Sequence, residues 1–145
     1  MAQRKGRNTG TGRTLEDLIL PVLERNGYTY LTQVNIGQRL GGRRHVVDIV
    51  ARHKETGRTL LISLKWQQTS GTAEQKVPFE AMCLAEAILQ GKGRFHAAYI
   101  VLGGDGWSLR DFFTGGGLDR HLKFADLVDV VTLEQFIAKA NRQEL

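Results

Sequence analysis

The chain contains a single cysteine, Cys83, so an internal disulfide framework is excluded and a reducing compartment is expected. No stretch approaches the ~20 consecutive apolar residues of a membrane span. The basic N-terminal stretch lacks the apolar core of a signal peptide, so a soluble, cytoplasmic protein is expected, with no membrane partner. The four histidines, His45, His53, His96 and His121, show no metal-ligand spacing; His45 and His53 read as surface residues. No internal repeat and no second domain is visible.

What is present is an ordinary globular composition, 41% hydrophobic and 24% charged over 145 residues, which suits one domain with one core. The formal charge of +5 favours a polyanionic partner. Residues 1–13, "MAQRKGRNTGTGR", are polar, basic and glycine-rich. They read as a flexible basic arm ahead of a single domain spanning 14–145.

"TLEDLILPVLERNGY" reads as a helix with Leu15, Leu18, Ile19, Val22 and Leu23 as its apolar stripe. Thr14 is the expected cap, Asp17 stands at the capping-box position, Pro21 is a kink and Gly27 a stop. Three strands follow in "TYLTQVNIGQRL", "RRHVVDIVARH" and "RTLLISLKW", the last two joined by the turn "KETG". "QQTSGTAEQKV" reads as a polar loop with one helical turn begun at Thr72, and "PFEAMCLAEAILQGKG" as a helix with Pro78 in its first turn. "HAAYIVLGG" is a buried strand, "LDRHLKFADL" a weaker helix and "VDVV" a short strand. The final helix, "TLEQFIAKANRQ", carries Thr132 and Gln135 as a capping box. This αβββαβ order implies an α/β fold, a mixed sheet flanked by helices.

The second and third strands are apolar on both faces, which marks central strands covered on both sides. With Glu55–Thr56 as the hairpin tip, Asp48 lies opposite Ser63, and Lys65 shares their face. Cβ atoms of opposed residues lie ~5 Å apart and diagonal ones ~7–8 Å. A lysine beside a carboxylate at that depth is either a structural ion pair or part of a metal site. In the second case the carboxylate holds a hard cation such as Mg²⁺, and the ammonium orients a water and offsets charge during phosphodiester hydrolysis. Gln67, two residues beyond Lys65, is a candidate to orient a water or phosphate, whereas Trp66 points to the other face and packs. Arg43, Arg44, Arg52 and Lys54, with Arg39 and Arg58, bring positive charge to this region, and Lys76 extends it. Such residues contact nucleic-acid phosphates without reading sequence.

A hydrophobic hairpin with Asp on one strand and (Asp/Glu)-x-Lys on the next resembles the PD-(D/E)xK nuclease superfamily. Asp48 matches the first acid and Lys65 the lysine, while Ser63 stands where the second acid belongs and Val47 where Pro is common. The resemblance implies a restriction-endonuclease-like core and a Mg²⁺-dependent DNA endonuclease, with Mn²⁺ able to substitute. In its variants with a small residue at the second acid, the acid migrates to the following helix. Glu80 is preferred to Glu74 for that role, and Glu16 on the first helix is the other candidate. The resemblance also makes the Leu64 carbonyl a metal ligand, and Ser63 a partner of a water on the ion. A duplex cutter of this kind is expected to act as a homodimer. A Holliday-junction or other branch-specific resolvase stays open. So does a non-catalytic DNA-binding module on a decayed nuclease fold.

Overall fold

The computed structural model describes residues 12–145. The proposed basic arm lies outside the described residues up to residue 11. Helix α1 spans Gly12–Arg25, so Thr14 belongs to its first turn and is not its cap. The strands are β1 (Tyr28–Gln38), β2 (Arg44–His53), β3 (Thr59–Trp66), β4 (Ala97–Gly103) and β5 (Val128–Thr132). Helix α2 (Ala73–Gln90) joins β3 to β4, α3 (Arg110–Thr114) follows β4, and α4 (Leu133–Asn141) follows β5.

The strands form one mixed sheet in the order β1-β2-β3-β4-β5. The first three make an antiparallel meander, and β4 and β5 add parallel to β3. Strand β3 is therefore internal, and Leu60, Leu61, Ile62 and Leu64 are all buried on its two faces. Ile62, Leu64, Tyr99 and Val101 pack under α1 and α4, where Tyr99 meets Phe136 edge-on with ring centroids 5.7 Å apart. Leu61, Ala98, Ile100 and Leu102 pack under α2 through Val77, Ala81 and Leu84. The result is the expected restriction-endonuclease-like α/β core, a sheet covered by helices on both faces.

Several local features match the sequence reading. Helix α1 ends at Arg25 and Gly27 takes a left-handed φ of +94°, where an added Cβ would press on the His53 ring. The Thr132–Gln135 capping box is complete: the Gln135 N–H donates to Thr132 Oγ1 at 3.1 Å, and the Thr132 N–H donates to Gln135 Oε1 at 2.9 Å. Cys83 is buried in α2 and Trp66 packs on the α1 side.

Others differ. The β2–β3 turn is four residues, 54–57, closed by the His53 N–H donating to the Arg58 carbonyl at 2.9 Å. Lengthening the loop by one residue on each side leaves the expected register intact, with Ile49 opposite Ile62 and Arg52 opposite Thr59. Helix α2 begins at Ala73, so the turn at Thr72 and the helix expected from Pro78 are one element with proline inside it. The segment 118–127 forms two short 3-10 turns, Gly117–Arg120 and Ala125–Leu127, rather than a helix. Between them Phe124 adopts a left-handed φ of 67°, which an α-helix cannot accommodate. No helix among the described residues is long and apolar enough to cross a membrane.

Candidate active site

Asp48 is where β2 parts from its neighbours. On the β1 side the pairing runs from Thr32–Ile49 to Val34–Val47 and omits Gln33 and Asp48. Gln33 takes a left-handed φ of 54° there, and its side-chain amide donates to Asp48 Oδ1 at 3.4 Å. On the β3 side the ladder stops at Ile49–Ile62. One step further the Leu64 N–H donates to Asp48 Oδ2 at 2.7 Å, so the carboxylate replaces a strand carbonyl. In a strand the N–H and C=O of one residue leave on the same side, which turns the Leu64 carbonyl toward this carboxylate.

Ser63 and Lys65 alternate onto the opposite face from Leu64, toward α2. Ser63 is buried and Lys65 is half-buried. Glu80 comes to them from α2, among the inward residues Val77, Ala81 and Leu84, with its side chain 14% exposed. Burial opposes its charge, but the His45 imidazole, the Lys65 ammonium and the Ser63 hydroxyl outweigh burial. The Glu80 carboxyl is held below the ordinary carboxylate value. His45 is buried, 3% exposed, with Nε2 lying 3.9 Å from Glu80 Oε2. That distance is electrostatic contact and too long for a hydrogen bond.

Sequence reasoning placed His45 on the surface and did not single out Gln33. The reason lies in the strand. Val47 packs in the core beneath α2 and Ile49 in the core beneath α1, although they are two residues apart. Strict alternation therefore fails at Asp48, and the irregularity carries His45 inward.

Gln67 is not available to a substrate. Its amide donates to Glu74 Oε2 at 3.1 Å and to the Gly106 carbonyl at 2.8 Å, while its Oε1 accepts from the Ala73 N–H at 3.1 Å. It caps α2 and bolts the end of β3 to the loop after β4. That loop lies against the β3 exit so closely that a Cβ at Gly104 would strike the Gln67 carbonyl. Glu74 completes the clamp. It is buried and accepts from the Ser108 N–H at 2.6 Å, from Ser108 Oγ at 2.9 and 3.0 Å, and from the Leu109 N–H at 3.2 Å. Burial works against its charge, yet these donors and Gln67 keep its carboxyl below the ordinary value. A depressed pKa stabilises the fold above the ordinary value of 4.5, and this contribution is lost as pH falls through the lower folded value. Acid should therefore loosen residues 103–110. Glu74→Gln should flatten that dependence, as limited proteolysis of this loop between about pH 6 and pH 3 would reveal.

Glu16 is buried, 6% exposed, on α1, the helix that covers the sheet face opposite α2. Among the described residues no three His, Cys, Asp or Glu side chains converge closely enough to cage a metal by themselves. The basic residues divide into two groups, all of them at least partly exposed. Arg43 and Arg44 lead into β2 at the end away from the β2–β3 turn, and Lys76 stands one helical turn before Glu80 on α2. The Arg39 guanidinium lies 5.5 Å from the ring centroid of Phe79, the residue beside Glu80. Arg52, Lys54 and Arg58 sit at the hairpin end, ~20 Å from Lys65 along β3, and do not join the others.

A family model described as a PD-(D/E)XK nuclease superfamily domain matches residues 7–144. No curated protein matches the chain. Among solved structures, the chain is similar to the crystal structure of a protein of unknown function, AF1548, at 16% identity and a TM-score of 0.47. The match covers 81% of this chain and 56% of that one, so the chain spans little more than half of that protein's length.

Proposed function

The chain belongs to the PD-(D/E)XK nuclease superfamily, and from that premise we propose that it is a divalent-metal-dependent endonuclease hydrolysing the phosphodiester bonds of DNA. The observation that carries this reading is the meeting of Ser63, Lys65 and Glu80, one strand away from Asp48. Where the strand lacks its second acid, a carboxylate comes near from α2, its pKa drawn below the ordinary value by His45, Lys65 and Ser63 against the effect of burial.

The donors fit a hard divalent ion. Asp48 and Glu80 offer carboxylate oxygens and Leu64 a backbone carbonyl. Mg²⁺ is commonly held by one or two carboxylates, with waters and substrate phosphate completing its shell, so a cage of three acids is not required. The buried, unpartnered Nε2 of His45 marks unmet polar capacity beside Glu80. Mn²⁺ has the same ligand preferences and is expected to replace Mg²⁺. The cation, when bound, would supply Lewis acidity toward the phosphate and acidify water. The protein's own groups do the rest. The carboxylate of Asp48 is fixed by the Leu64 N–H, which removes a rotational freedom that would otherwise have to be lost on binding. Lys65 orients the attacking water and offsets negative charge gathering on the phosphoryl oxygens. Water oxygen adds to phosphorus, the ester P–O bond breaks, and the leaving oxygen takes up a proton. One site per chain serves one strand, so duplex cutting calls for two copies.

Ser63 considered alone argues for a decayed DNA-binding module; Glu80 beside it argues for a working site. Incubating the protein with duplex, single-stranded and four-way-junction DNA, with Mg²⁺ or with chelator, separates these readings. Cleavage that requires the metal is expected, and preference for the junction would specify a resolvase. Binding without cleavage under any metal would reverse the conclusion. On the same DNA, affinity should fall with salt by about 0.9 in log K per log unit of salt for each phosphate contacted. Alanine at Arg39, Arg43 or Arg44 should reduce that slope more than alanine at Arg52 or Lys54, because the first group lies away from the β2–β3 turn, on the side where Lys65 and Glu80 meet, and the second lies at the turn.

A further inference from the structure

Among the described residues, one buried side-chain polar atom has no hydrogen-bond partner: Nε2 of His45. Buried polar groups are nearly always satisfied, because an unpaired one forfeits its hydration and receives nothing in exchange. A histidine serving only to fill the core would have both nitrogens engaged or one of them in water. Here Nε2 is directed at Glu80, 3.9 Å from Oε2.

Glu80 reaches this place from α2 through three side-chain torsions, each of which must be fixed for its carboxylate to keep one orientation. Ser63 and Lys65 lie near it on β3. Nothing on α2 does so, since its inward neighbours Val77, Ala81 and Leu84 are apolar. His45 stands on the remaining side, from β2.

We infer that His45 is a positioning residue for Glu80: its Nε2–H holds the carboxylate from the β2 side, directly after a small side-chain adjustment or through one water, in the orientation that ligates the cation. This rests on the reading of Glu80 as a metal ligand. Residues that hold a ligand in this way typically change metal affinity 10–100-fold when removed.

The test is Mn²⁺ binding to the DNA-free protein by titration calorimetry, with circular dichroism as the check on folding. His45→Phe keeps the ring and removes the donor, and it should weaken Mn²⁺ binding about 10–100-fold. His45→Gln carries an amide nitrogen near the position of Nε2 and should bind within a few-fold of wild type. If the Phe variant does not fold, His45→Asn takes its place, because its shorter amide reaches only the Nδ1 position and should show the same loss. Wild-type affinity in His45→Phe overturns the inference alone. Equal weakening in the Phe and Gln variants also overturns it, because packing and not the Nε2 donor would then be at work. Absence of Mn²⁺ binding by the wild-type protein overturns the metal reading of Glu80 and the inference with it.

Discussion

Asp48→Asn should abolish metal-dependent cleavage and leave the fold intact. The two halves of that expectation come from different atoms of one side chain. Asparagine has nearly the volume of aspartate, and its amide oxygen can still accept the Leu64 N–H that Oδ2 now accepts at 2.7 Å. The anchor of β2 to β3 therefore survives, and thermal unfolding should move little. What is lost is the negative charge that a divalent cation requires. A loss of at least about 10³-fold in kcat/KM is expected, corresponding to roughly 4 kcal/mol of transition-state stabilisation. Lys65→Ala should reduce the rate comparably, but by another route. It removes the group proposed to orient the water and offset charge on the phosphate and leaves the carboxylates in place, so Mn²⁺ binding should persist in Lys65→Ala and fail in Asp48→Asn. Wild-type cleavage rates in either folded variant would show that the site has been assigned to the wrong residues.

The second large effect is expected at Glu80. If this residue supplies the acid missing from position 63, Glu80→Ala should be as damaging as Asp48→Asn. Glu74→Ala gives a useful contrast. Its carboxylate is occupied by Ser108, Leu109 and Gln67, so its loss should loosen the loop after β4 and lower stability without abolishing Mn²⁺ binding. A compensating pair probes the migration directly. Ser63→Glu with Glu80→Ala returns an acid to β3, with its Cβ about 5 Å from that of Asp48 if the pairing geometry continues one step. Partial recovery of cutting is expected. Full recovery is not, since displacing a catalytic group by about 1 Å can cost 10²-fold. Undiminished cleavage in Glu80→Ala would remove Glu80 from the site. The second acid would then have to be Glu16, buried on α1, or be dispensable.

The hairpin was legible in sequence because its information is local. Apolar residues on both faces of "HVVDIV" and "LLISLKW" require central strands. The register expected from the turn is the one observed from Arg52–Thr59 to Ile49–Ile62, whether the turn holds two residues or four, since symmetric lengthening moves no pair; the ladder ends one step before the expected Asp48–Ser63 pair. The capping box at Thr132 and the stop at Gly27 were legible for the same reason: each is satisfied by residues within a few positions in the chain.

What sequence could not decide depends on partners far away in the chain. Gln67 and Glu74 were plausible site residues until the loop after β4 closed over them. Their polar groups are then consumed by Gly106, Ser108 and Leu109, more than thirty residues later. The start of α2 at Ala73 depends on Gln67 capping it, which outweighs the preference of Pro78 for a first turn. Net charge pointed to a basic surface, but only the direction of β2 separated Arg43 and Arg44 from Arg52 and Lys54. His45 shows the limit most plainly. Alternation along a strand is a rule of regular pleating, and it ends where Gln33 and Asp48 leave the ladder. The chain by itself thus determined the strands, their pairing and the acid and lysine they carry, because hydrophobic period and turn spacing are short-range properties. Tertiary structure decided which carboxylate comes near Ser63 and Lys65 and which imidazole faces it, because burial and charge at that point come from strands and a helix that only folding brings together.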